Sequence, residues 1–195
     1  MGFGYKTSWL AVRGRTVEEV ADALELPRRQ TLDWATGVDL AYGEGVFVAT
    51  PVPGWTIAHS RRGLPLDAYD QGFVEWLSGL SLRLGEVQFF ASERVVEYHA
   101  WALARAGEVL RAYCYVGEQG EIPLFVGDPT ADEIRIGKGV LGPVPDSADW
   151  SNDEADVWFS TTPSEDDVML MAAAWSFDPS TLDDQAVPAD GLYSA

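Results

Sequence analysis

The sequence predicts an α+β fold, a mainly antiparallel sheet with about three helices packed on it, in one domain spanning residues 1–195. Three observations lead there. Strand-like runs follow one another from Val87 to Val116, and their later members are joined by a tight connection. The turn-forming Pro51-Val52-Pro53-Gly54 separates two further runs rich in β-branched and aromatic residues. Thr or Ser followed three residues later by an acid, the start signal of a helix, occurs at Thr16–Glu19, Thr130–Glu133 and Ser164–Asp167.

Taken in order, the apolar stretch Tyr5 to Val12 reads as a strand ended by Gly14. Thr16 and Glu19 then cap a helix whose Val17, Val20, Ala21 and Leu24 recur at helical spacing until Pro27. Val46 to Thr50 and Trp55 to His59 form an antiparallel hairpin. Between Asp70 and Leu80, Phe73, Val74, Trp76, Leu77 and Leu80 share one helical face.

The centre of the chain holds three strands, Val87 to Ala91, Val95 to Ala104 and Val109 to Val116, with Ala106-Gly107-Glu108 connecting the last two. Along the second, Glu97, His99, Trp101 and Leu103 alternate with Tyr98, Ala100, Ala102 and Ala104, so the two sets face opposite ways. The small-residue face suits close packing against a helix. Ile122 to Val126 is a further strand, which Pro123 assigns to a sheet edge because proline donates no ladder hydrogen bond. Residues 137–156, rich in Gly, Pro, Asp and Ser, read as an exposed acidic loop, and Val157 to Ser160 as a short strand. Ser164 and Asp167 cap a last helix containing Val168, Met169, Met171, Ala172 and Trp175 and ending before Pro179.

Charge is the most informative feature for function. Residues 1–62 carry seven basic and seven acidic side chains, 63–145 carry six and twelve, and 146–195 carry none and twelve, so the formal −18 accumulates toward the C-terminus. Lys138 is the last basic residue. Such a field repels nucleic acid and anionic membrane and attracts a basic protein. The lone Cys114 rules out an internal disulfide, the N-terminus lacks a signal-peptide pattern, and no apolar run reaches the ~18 residues of a membrane span, so a cytoplasmic protein is expected. Arg outnumbering Lys by eleven to two points to a GC-rich bacterial source.

No motif supplies a catalytic residue, a cofactor or a metal. Gly137-Lys138-Gly139-Val140-Leu141-Gly142 matches a dinucleotide fingerprint, but Pro143 and Pro145 oppose the helix that must follow it. Glu97 and His99, placed on one strand face, are the alternative: a small enzyme with a carboxylate and histidine site on the sheet. Counting an EF-hand from Asp149 puts Glu154 where glycine is needed and Ser160 where the bidentate Glu belongs. Most of the eight tryptophans sit in strand or helix patterns and are expected in the core, and Cys114 is expected to be a buried, inert thiol. Trp150 lies instead among carboxylates, an arrangement suited to anchoring a basic surface. The partner-binding candidates are therefore Asp146, Asp149, Trp150, Asp153, Glu154 and Asp156.

In size, acidity and composition the chain resembles bacterial immunity proteins, small acidic cytoplasmic inhibitors that neutralise toxins, often nucleases with basic active-site clefts. That resemblance implies a non-enzymatic binding protein with a basic toxin as partner. It rests on no motif, so it transfers no residue role. A structural subunit of a larger assembly is the third expectation, marked by an exposed apolar patch.

Overall fold

Trp9 and Ala11 point to one side of the first strand, β1 (Thr7–Arg13), and Leu10 and Val12 to the other, and all four are fully buried. A strand apolar on both sides needs cover on both sides. The computed structural model, which describes residues 2–117, 120–143, 152–182 and 190–195, provides it: helices lie on both faces of one nine-stranded antiparallel sheet.

The remaining elements are α1 (Val17–Ala23), β2 (Gln30–Leu32), α2 (Trp34–Gly43), β3 (Val46–Val52), β4 (Trp55–Ser60), α3 (Phe73–Leu84), β5 (Glu86–Glu93), β6 (Tyr98–Arg105), β7 (Glu108–Val116), β8 (Glu121–Val126), α4 (Ala131–Ile136), α5 (Asn152–Thr161), α6 (Glu165–Trp175) and β9 (Gly191–Ser194). The strand order is β2-β9-β3-β4-β1-β5-β6-β7-β8. The expected α+β class holds, with six α-helices among the described residues where the sequence pointed to about three.

One face is covered by α1 and α3. There Ala100, Ala102 and Ala104 of β6, with Ala112 and Cys114 of β7, leave room for Phe73, Leu77, Leu80 and Leu84 of α3. The alanine stripe thus does what the alternation predicted. The other face is aromatic: Trp9 stacks on Phe90 at 5.2 Å and Trp101 on Tyr113 at 4.9 Å, under α2, α5 and α6. Seven of the tryptophans are buried in or packed against these two clusters, and Trp150 lies outside the described residues.

Local signals act as chemistry requires. Thr16, Thr130 and Ser164 each close a capping box with the acid three residues on. Val52 pairs with Trp55, so the β3–β4 hairpin turns on Pro53-Gly54, and Arg105 pairs with Glu108 across Ala106-Gly107, both at positive φ. Pro123 lies on β8, an edge strand.

Two expectations are corrected. Residues 152–161 are helical, replacing the last part of the expected loop and the expected strand at Val157 to Ser160. Its N-D-E-A-D start is low in β-branched residues and puts acids in the first turn, where the helix dipole favours them. Glu97 is not on β6 but in the turn before it, at φ +50 and against Gly117, so it shares no strand face with His99.

Candidate functional site

Of the acidic candidates, Asp153 and Asp156 are exposed on α5. Asp146, Asp149 and Trp150 lie outside the described residues, as does the side chain of Glu154. Neither Asp153 nor Asp156 makes a hydrogen bond or ion pair among the described residues. Asp153 stands in the first turn, where the helix dipole gives it a local cause, and Asp156 is past that turn.

The acids of α6 differ. Glu165 lies 3.8 Å from Arg94, Asp166 accepts a hydrogen bond from the Tyr5 hydroxyl at 3.0 Å, and Asp167 is held in its capping box. These three are occupied with holding the fold.

Sequence reasoning missed what stands beside the α5 carboxylates: Val157 and Phe159 are each 59% exposed. Between them Trp158 turns inward and meets Tyr115 ring to ring at 6.1 Å, which fixes the helix so that its neighbours face out. Leu170 of α6 and Ile134 of α4 are also largely exposed. The helix is anchored at its other end by Lys138, whose Nζ donates to the carbonyls of Ser160 and Thr162 at 2.9 Å each. The last cation of the chain is thus spent on the C-terminus of α5, where a positive charge is favoured. No basic residue remains on α5 or α6.

The glycine-rich 137–142 segment opens no helix. Gly137 ends α4 at φ +76, and the Gly139 carbonyl accepts from Arg111 at 2.7 Å. His99 is buried on the aromatic face, where desolvation pushes its pKa down to about 4 against a smaller upward pull from Asp167. His59, wedged between Phe3 and Tyr42, is pushed down to about 3 by burial. Burial also drives the Cys114 thiol well above its ordinary range, which makes it inert.

A second place of interest lies at the end of the sheet, on the α1/α3 face: a cavity of about 540 Å³. Lys6 and Ser8 of the β1 entry, Arg61 and Arg62 after β4, Asp67 and Tyr69, Glu93 of β5, Tyr98 of β6 and Glu121 of β8 contribute to its wall. Asp67 accepts from the Ser8 hydroxyl at 3.2 Å and the Tyr69 hydroxyl at 3.3 Å, and burial raises its pKa despite both bonds. These residues are scattered over more than a hundred positions, so only strand order brings them together.

Comparison with protein-family models, with curated proteins and with solved structures finds no match.

Proposed function

We propose that this protein is a non-enzymatic binding protein whose acidic C-terminal third engages a basic protein, in the manner of an immunity protein holding a basic toxin. The observation that carries the reading is the pairing on α5 of carboxylates with no partner among the described residues, Asp153 and Asp156, with outward-facing Val157 and Phe159. Carboxylates alone usually only face water. An exposed phenylalanine beside them supplies what steering charge does not, an apolar anchor: burying about 100 Å² of it is worth on the order of 2–3 kcal/mol. Charge sets the encounter rate and the partner's sign, and the ring sets residence time.

The test is affinity capture from the native host at low salt, followed by titration of the recovered partner. Asp153→Asn with Asp156→Asn is expected to slow association and flatten its salt dependence, and Phe159→Ala to speed dissociation. Failure to recover any protein, or unchanged binding by both variants, removes the reading.

A further inference from the structure

In a molecule of net charge −18 with only thirteen Lys and Arg, three cations, Lys6, Arg61 and Arg62, gather on the wall of one cavity. Of the three, only Arg61 has a carboxylate partner among the described residues, Glu93 at 3.4 Å. The backbone that carries them is fixed. Arg61 N–H donates to Ala41 O at 2.9 Å, and the Ser60 hydroxyl, donating to Gly45 O at 2.6 Å, accepts from Arg62 N–H at 3.2 Å. Lys6 sits at φ +55, a conformation strained for a residue with a Cβ and kept only where the surroundings impose it.

Acids line the same cavity. The Oε1 atom of Glu93 is buried with no donor among the described residues, while its Oε2 faces Arg61. Strand order sets the spacing of the charges: Lys6 enters β1, Arg61 and Arg62 follow β4 beside it, Glu93 ends β5 on the other side of β1, and Glu121 begins β8 at the far edge. At about 4.8 Å per strand, Glu93 stands one to two strand widths from the cations, the span of a short zwitterion, and Glu121 several. Beyond Glu93, toward β8, the wall continues with the apolar Val96, Tyr98, Val116 and Pro123.

Each simple ligand class meets an obstacle. A plain anion is repelled by the molecule's overall field, and a plain cation meets three positive side chains at the wall. A ligand that carries both charges close together beside an apolar side chain meets neither, and the volume suits a small molecule of that kind. We propose that this cavity binds a short zwitterionic peptide, its carboxylate on Lys6 and Arg62, its ammonium group on Glu93, and an apolar side chain over Tyr98 and Val116.

Calorimetric titration with the dipeptide Ala-Phe, with N-acetyl-Ala-Phe, which lacks the ammonium charge, and with Ala-Phe-amide, which lacks the carboxylate, tests this on the unaltered protein. The free dipeptide is expected to bind at least tenfold more tightly than either capped form. Arg62→Ala should abolish the preference over the amide, and Glu93→Gln the preference over the acetylated form. No binding of the dipeptide, equal binding of all three, or tighter binding of the acetylated anion overturns the proposal. None of these outcomes depends on α5, so the result is independent of the protein-binding reading.

Discussion

Arg111 and Glu133, 1% and 0% exposed, form an ion pair inside the protein, with the Arg111 Nε 2.8 Å from one carboxylate oxygen and 3.0 Å from the other. The same carboxylate accepts from the Trp101 indole at 2.8 Å and from the Thr130 backbone at 2.6 Å, where it closes the capping box of α4. Arg111 also donates to the carbonyls of Val126, Gly127 and Gly139. One pair therefore ties β7, the end of β8, α4 and the strand-to-helix connection together, with its polar atoms satisfied.

Removing one partner leaves the other charged, buried and unmatched, at a cost of about 3–5 kcal/mol. Glu133→Gln should lower the unfolding free energy by that order in urea titration. The double change Arg111→Met with Glu133→Leu should cost less than the sum of the single changes, since no charge is stranded. A Glu133→Gln loss below about 1 kcal/mol would contradict the assignment.

The two histidines predict a pH dependence. His59 and His99 have folded pKa values pushed down to about 3 and about 4 from an ordinary 6.5. Protonation is thus easier unfolded than folded, so stability is full above pH 6.5 and is lost as pH falls from there toward 4 and then 3. Between pH 7 and pH 5 the loss should be on the order of 2–4 kcal/mol for the pair. Asp67, raised by burial, works in the opposite sense at the acidic end, so the comparison with a variant isolates the effect. His59→Phe, which puts an untitratable ring between Phe3 and Tyr42, should remove about half of the slope. An unchanged slope in denaturation at the two pH values would refute this.

Two helical glycines should respond oppositely to alanine. A Cβ at Gly37 of α2 would collide with the Phe47 ring, so Gly37→Ala should destabilise by about 1–3 kcal/mol. A Cβ at Gly79 of α3 meets nothing within 4 Å, so Gly79→Ala should stabilise by about 0.5–1 kcal/mol through helix propensity. Thermal unfolding of both variants checks the pair, and the same sign for both would be the contrary result.

The fold was legible where local chemistry decides it. The capping boxes, the β3–β4 hairpin, the alanine face of β6 and the edge position of Pro123 all follow from spacing and residue type. α2 also carried a readable signal, Asp33 accepting from Thr36 N–H at 3.0 Å ahead of Trp34, Val38 and Ala41 at helical spacing. β2 and β9 carried none: Gly191–Ser194 becomes a strand only because β2 and β3 flank it, with Phe47 packed where Gly191 has no side chain. The acidic candidates were found by charge, while Val157 and Phe159 were not, because in an apolar-looking run nothing distinguishes an outward phenylalanine from an inward tryptophan until the helix phase is known. The cavity was invisible for a different reason: its wall is assembled by strand order.

The most direct test of the protein-binding reading is paired affinity capture at low salt, with the unaltered chain and the Asp153→Asn, Asp156→Asn, Phe159→Ala triple variant as baits and mass spectrometry as readout. A basic protein should be retained by the unaltered chain, released by salt and absent from the variant's eluate. Retention of the same proteins by both baits, or of none by the unaltered chain, would contradict it.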